Sequence, residues 1–207
     1  EILIGLVGSE MCIRDRLYFD VTRGDVPVNS VDVSYEAAKG IGYIKVSKFA
    51  RNTYNEFITA IAKLKQAGCT SFVIDLRGNT GGYMDAAINM INEFMPEGRL
   101  IVYTEGKSFP RSDVYANGTG TCKDAPIVVL TDEISASASE IFSGAIQDND
   151  RGTIIGRRTY GKGLVQTQMS LSDGSEMRLT IARYYTPSGR CIQKKYEMGN
   201  TDAYDQD

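Results

Sequence analysis

Two short stretches of this chain carry residue types from which hydrolytic chemistry can be built. Ile134-Ser135-Ala136-Ser137-Ala138-Ser139-Glu140 alternates hydroxyl and methyl side chains. Such a run can turn tightly while one serine projects from a helix entrance, beside N–H groups that lack intrahelical acceptors. That geometry suits a nucleophile. It equally suits a cap: Ser135 or Ser137 can close the helix end, with Glu140 three residues after Ser137 completing a capping box. The second stretch, Arg158-Thr159-Tyr160-Gly161-Lys162-Gly163-Leu164-Val165-Gln166, seats Lys162 between two glycines, which permits close backbone approach and an unusual chain direction. If Lys162 is buried beside a serine hydroxyl, desolvation favours the neutral amine, which can then accept the hydroxyl proton. The plainer alternative is a solvated lysine in a glycine turn.

Lysine has to be considered as a base because the chain contains no histidine. A Ser-His-Asp triad, a Cys-His dyad and a His-rich zinc site are therefore excluded. Gly156-x4-Gly161-Lys162 approaches a phosphate-binding loop, but Gly163 stands where Mg²⁺ binding needs Ser or Thr. Cys12, Cys69, Cys122 and Cys191 lack any CxxC spacing, so metal knuckles and thioredoxin chemistry are not expected. One disulfide, Cys122 to Cys191, is conceivable.

The elements that must position these residues follow from periodicity. Residues 42–47 read as a strand, and Asn52 can cap a helix whose Phe57, Ile58, Ile61 and Leu64 recur at helical spacing until Gly68. Residues 71–76 form a nearly continuous apolar run of the kind buried in a parallel sheet, followed by a turn at Gly78, Gly81 and Gly82. Met84, Ala87, Ile88, Ile91, Phe94 and Met95 then line a helix face, and residues 100–103 return as a strand, giving a β-α-β unit. The pattern repeats with strand 126–131, a helix carrying Ala138, Ile141, Phe142, Ala145 and Ile146, and strand 153–155. An α/β sheet covered on both faces is the economical architecture. Residues 165–171 and 176–185 flank Asp173-Gly174, a strong hairpin signal. Both helix starts, at 78–83 and 134–140, follow buried strands, at the kind of position where α/β sheets bind ligands.

With 207 residues, 42% of them hydrophobic and 24% charged, the chain can bury a sizeable core and is neither fibrous nor wholly disordered. A formal charge of -3 offers no global field for nucleic acid or anionic membrane. No apolar run reaches the roughly 18 residues of a transmembrane helix. At the N-terminus, no basic region precedes Ile2-Leu3-Ile4-Gly5-Leu6-Val7, so a signal peptide is not read there. Residues 5–16, Gly-Leu-Val-Gly-Ser-Glu-Met-Cys-Ile-Arg-Asp-Arg, resemble the in-frame translation of a sequencing-library adapter, and segment 1–16 is expected to be non-native. Phe19-Asp20-Val21-Thr22 and Val26-Pro27-Val28 suggest a small β-ribbon, and residues 196–207 read as a truncated tail.

Three motifs taken in order, Asp75-Leu76-Arg77-Gly78-Asn79-Thr80-Gly81-Gly82, Ser135-Ala136-Ser137-Ala138-Ser139-Glu140 and Thr159-Tyr160-Gly161-Lys162-Gly163-Leu164-Val165-Gln166, closely resemble the carboxy-terminal processing proteases, also called tail-specific proteases. The likeness extends through Ile41-Gly42-Tyr43-Ile44, Gln147-Asp148-Asn149 and Tyr184-Tyr185-Thr186-Pro187-Ser188-Gly189-Arg190. The resemblance implies an α/β core of the crotonase and Clp-protease type, with β-α-β units, a long antiparallel hairpin and a remnant of a truncated PDZ domain. The implied domain limits are 17–34 for the PDZ exit, 35–195 for the protease core and 196–207 for the tail. It further implies a serine endopeptidase with Ser137 as nucleophile, Lys162 as general base and Gln166 orienting the lysine. Backbone N–H groups of Ala138 and of Gly81 or Gly82 would bind the oxyanion, because a donor must come within ~3 Å of it without an obstructing Cβ. Four residues of extended strand cover ~13 Å, so contact between Lys162 and Gln166 requires the chain between them to bend.

The resemblance implies no cofactor and no metal. Substrates would be proteins or peptides with exposed, loosely structured C-termini, in the periplasm or another extracytoplasmic compartment. Two other classes are carried beside the peptidase: an inactive peptide-binding relative, and an acyl-CoA enzyme of the same fold superfamily. A peptidase would react with a fluorophosphonate at Ser137, an inactive scaffold would bind tails without labelling, and a coenzyme-A enzyme would melt later with its ligand.

Overall fold

The computed structural model describes residues 29–195. The adapter-like segment, the β-ribbon at 19–28, most of the PDZ-exit segment and the tail from 196 lie outside the described residues.

The elements run β1 (Val31–Ala38), β2 (Ile41–Val46), α1 (Thr53–Gln66), β3 (Ser71–Asp75), α2 (Met84–Asn92), β4 (Leu100–Glu105), β5 (Ser112–Tyr115), β6 (Ile127–Thr131), α3 (Ala138–Asp148), β7 (Thr153–Gly156), β8 (Leu164–Ser170) and β9 (Glu176–Tyr185). Two sheets are formed, in the orders β1-β2-β3-β6-β7 and β5-β4-β9-β8. In the first, β1 is antiparallel to β2 and the remaining pairs are parallel. The boundary expected at residue 34 falls inside β1, so residues 31–34 belong to the core sheet.

Side-chain alternation decides which face of the first sheet is packed. Ile44, Val46, Phe72, Ile74, Ile127 and Val129 are buried and join one cluster with Phe57, Ile61, Ala87, Ile91, Phe94, Phe142 and Ile146 of the helical segments. Phe94 sits edge-on to both Phe57 and Phe72, with ring centroids 6.2 and 6.4 Å apart. The opposite face carries the registered rows Tyr43, Val73, Val128 and Lys45, Asp75, Leu130, Ile155. Tyr43, Val73, Val128 and Leu130 are half-buried there, and Ile155 is exposed. Among the described residues the sheet is therefore covered on one face, not two. The reason is visible in the buried sets of the helices, which all feed the same cluster.

The β-α-β expectation for 71–103 also needs correction. After α2 the chain does not return to the sheet of β3, whose other parallel neighbour is β6; β4 instead pairs antiparallel with β5 and β9. The β8–β9 hairpin forms as expected, with Gly174 at φ +83° in its turn.

Candidate active site

The two helix entrances meet at the C-terminal ends of β3 and β6, and buried polar side chains interlace them. Asn79, fully buried, donates its amide to the Val46 carbonyl at 2.9 Å and accepts the Gly81 N–H at 2.8 Å. Its own carbonyl accepts the Ala136 N–H at 3.0 Å and the Ser139 hydroxyl at 2.9 Å. Ser135 donates its hydroxyl to the Leu76 carbonyl at 2.8 Å, and the Asp132 carboxylate receives the Gly78 N–H at 2.9 Å. Burial alone would raise the Asp132 pKa; hydrogen bonds from the Gly78 N–H, the Ser135 hydroxyl and neighbouring N–H groups outweigh it and lower it.

At the centre of this junction Ser137 adopts φ 56° and ψ -111°. A side-chain-bearing residue held there costs about 1–3 kcal/mol and persists only where its surroundings over-determine it. Here they do: a Cβ built on Gly81 would stand 2.7 Å from the Ala136 carbonyl oxygen, 2.8 Å from Ser137 Cβ and 3.0 Å from Ala138 N. Gly81 thus sits directly on the serine turn. Gly82 is required for a different reason, since its Cβ would lie 2.0 Å from the Phe49 carbonyl oxygen across a parallel bridge. Two consecutive glycines answer two separate close approaches.

The oxyanion donors expected at this turn sort themselves by their bonds. The Gly81 N–H is already given to Asn79. No acceptor among the described residues receives the N–H of Gly82 or of Ala138, the first residue of α3. The pair with spare donors is therefore Gly82 and Ala138.

Glu140 joins this turn to the segment bearing Lys162. Its buried carboxylate accepts the Ser137 N–H at 2.8 Å, which is the glutamate half of a capping box. It also accepts the Thr159 hydroxyl at 2.8 Å, the Gly161 N–H at 2.6 Å and the Lys162 N–H at 2.8 Å. Ser137 and Lys162 share one oxygen, Oε2. The Tyr160 N–H adds a bond to the Ser135 carbonyl at 3.0 Å. The glycines flanking Lys162 serve the close approach their spacing suggests: Cβ atoms there would meet Lys194 Cβ at 2.9 Å and Gln193 N at 2.3 Å.

Of the two readings open for Lys162, the solvated one holds: the side chain is exposed, and among the described residues its ammonium has no hydrogen bond or ion pair, to Ser137 or to any other group. Gln166 does not touch Lys162; its amide donates across the hairpin to the Thr180 hydroxyl at 3.5 Å. A register shift falls between Val165 and Gln166, after the 161–165 stretch in which contact with Lys162 required a bend, and Gln166 stays paired with β9. The Cys122–Cys191 disulfide is not formed either: Cys122 is buried, Cys191 is exposed and both are thiols.

Beneath the Gly78–Gly82 turn lies a residue the sequence did not single out for a role. Asp75 is fully buried and accepts the Tyr43 hydroxyl at 2.5 Å and three bonds from the Arg77 side chain, the shortest at 2.7 Å. Burial pushes its pKa up, but the Arg77 and Tyr43 hydrogen bonds more than reverse this and hold it at about 2. Tyr43 is pushed up to about 12 by burial and by that carboxylate. A cavity of about 800 Å³ opens behind Glu140, walled by Ser143, Thr159, Gly161, Thr186 and Lys194. Neither Ser137 nor Lys162 lines it, so it is not the route to the serine hydroxyl.

Comparison with known proteins places this geometry. The sequence profile of peptidase family S41 matches residues 40–201. A carboxyl-terminal-processing protease of Synechocystis sp. is 38% identical over 179 residues, 85% of this chain and 42% of the relative. A chloroplastic C-terminal processing peptidase of Tetradesmus obliquus is 38% identical over 159 residues, 76% of this chain and 34% of the relative. The solved photosystem II D1 C-terminal processing protease superposes with a TM-score of 0.74 at 35% identity, over 83% of this chain and 47% of that one. The chain thus spans less than half the length of these relatives.

Proposed function

The chain belongs to peptidase family S41, and from that premise we propose that it is the catalytic core of a serine endopeptidase acting through Ser137 and Lys162. The observation that carries this reading is the shared carboxylate oxygen: Glu140 Oε2 holds the backbone N–H of both residues. That seats the two backbones side by side, and we take the lysine's flexible four-carbon side chain to reach the serine hydroxyl. Ser137 Oγ attacks the peptide carbonyl, and the Lys162 amine takes the hydroxyl proton and passes it to the leaving amine. Water then releases the acyl group by the reverse path. The spare N–H groups of Ala138 and Gly82 bind the oxyanion. Gln166 enters the scheme only by giving up Thr180 for Lys162, and its 3.5 Å bond to Thr180 is long and easily exchanged.

The substrates proposed are proteins with exposed C-terminal tails, in keeping with the names of the Synechocystis and Tetradesmus relatives. An extracytoplasmic location belongs to the same proposal; among the described residues no helix is long and apolar enough to cross a membrane. The exposed position of Lys162 is what a binding-only relative would also display. Turnover separates the two readings. Hydrolysis of an unstructured protein tail, abolished by Ser137→Ala and by Lys162→Ala with the melting temperature unchanged, is the expected result. Tail binding without cleavage would overturn the peptidase reading.

A further inference from the structure

Resting on the reading that Ser137 and Lys162 act as a pair, we infer that Glu140 is the positioning residue of that pair, fixing the backbone of the nucleophile against the backbone of the base. A helix cap needs only one of its four bonds. The Ser137 N–H comes from three residues away, whereas the Thr159 hydroxyl and the Gly161 and Lys162 N–H groups come from 19, 21 and 22 residues away. An ionised carboxylate has two acceptor oxygens with about four lone-pair sites. Oε1 takes the Thr159 and Gly161 donors and Oε2 takes the Ser137 and Lys162 donors, so both oxygens are fully used. Glu140 itself is 5% exposed and touches no reacting atom.

The chemistry of the side chain makes the role testable. Glutamine is nearly isosteric but offers one carbonyl oxygen, and its NH₂ would face either the Ser137 and Lys162 N–H groups or the Gly161 N–H beside the Thr159 hydroxyl, so at least one N–H donor loses its acceptor in either orientation. Aspartate keeps a carboxylate at the first turn of α3, where it still favours the helix N-terminus, but is one methylene too short to hold the 159–162 segment. That segment does not detach in either variant. The Tyr160 N–H to the Ser135 carbonyl at 3.0 Å and the Lys194 N–H to the Gly161 carbonyl at 3.0 Å still tether it. What is lost is the placement of Lys162 relative to Ser137.

The experiment measures kcat and KM for hydrolysis of an unstructured protein tail, melting temperature, and residue-level amide exchange in the full chain and in Glu140→Gln, Glu140→Asp and Thr159→Val. We expect kcat to fall at least about tenfold in Glu140→Gln and Glu140→Asp, the effect of losing hydrogen bonds to a charged group. KM should stay within about twofold. Amide exchange at Gly161 and Lys162 should quicken about tenfold while β3 and β6 keep their protection. Thr159→Val, which removes one donor of four, should cost about threefold in kcat. If Glu140→Gln does not fold, Glu140→Asp and Thr159→Val carry the test. An active parent whose folded Glu140 variants keep its kcat would overturn the positioning role alone. A parent that neither cleaves nor labels at Ser137 would overturn the pair itself, while the exchange at Gly161 and Lys162 would still report whether Glu140 holds that segment.

Discussion

Replacing Gly81 by alanine should separate strain from contact at the serine turn, because a neighbouring glycine supplies the control. Gly81 has φ +100° and Gly78 has φ +76°, so a Cβ at either costs roughly 1–2 kcal/mol in backbone strain. At Gly78 nothing lies within 4 Å of the added atom. At Gly81 it meets Ala136 O at 2.7 Å, Ser137 Cβ at 2.8 Å and Ala138 N at 3.0 Å. These are parts of one tightly bonded turn that cannot swing aside as a flexible side chain would. Overpacking of that kind adds about 1–3 kcal/mol, so Gly81→Ala should be destabilised by about 2–5 kcal/mol and Gly78→Ala by about 1–2 kcal/mol. The catalytic effect should be larger than the difference in stability. Relief of the clash displaces Ser137 and the Ala138 N–H together, and a displacement near 1 Å at a reacting group costs on the order of a hundredfold in rate. Urea titration gives the stabilities, and cleavage of an unstructured tail gives the rates. A Gly81→Ala enzyme that is destabilised no more than Gly78→Ala and cleaves at the parental rate would refute the close seating of Gly81 on the nucleophile.

Three more outcomes follow from the same geometry. Asp75 has a folded pKa of about 2 against an ordinary 3.8, so its stabilisation is complete above pH 4 and is lost as pH falls through about 2; the parent should lose about 2 kcal/mol more than Asp75→Asn between pH 5 and pH 1.5, and parallel pH profiles would contradict this. Asn79→Ala leaves the Val46 carbonyl and the Gly81 N–H without their buried partner and should cost about 2–4 kcal/mol in urea unfolding; a loss below about 0.5 kcal/mol would deny the side chain its stitching role. Of the described cysteines, Cys191 should be alkylated in the native protein, with Cys69 and Cys122 reacting only on unfolding; peptide mapping that found Cys122 joined to Cys191 would contradict the free thiols.

What the sequence disclosed was mainly what is local. The helix after Ser137 and the glycines around Lys162 announce themselves through spacing and conformational need, as does the Asp173-Gly174 hairpin, since each depends on neighbours a few residues away. Pairings between distant segments were not legible. Nothing in Leu100-Ile101-Val102-Tyr103 says that the strand leaves the sheet of β3 to join β9, and the exposed β1 edge strand has no buried stripe to betray it. The same divide runs through the site. Glu140 was readable as a cap, because the Ser137 bond is local, but its three further bonds come from a separate loop. Gln166 was expected on Lys162 from the family resemblance, whereas the strand opposite it offered Thr180. Both a buried and a solvated Lys162 were compatible with its flanking glycines; the side chain is exposed, and the glycines serve the approach of residues 193 and 194.

The central claim, that Lys162 activates the Ser137 hydroxyl, is tested most directly by fluorophosphonate labelling followed by peptide mass mapping of the parent and of folded Lys162→Ala. One adduct, on Ser137, should form in the parent and be slowed at least about a hundredfold without the lysine. An adduct on another residue, or parental labelling of Ser137 in Lys162→Ala, would contradict it.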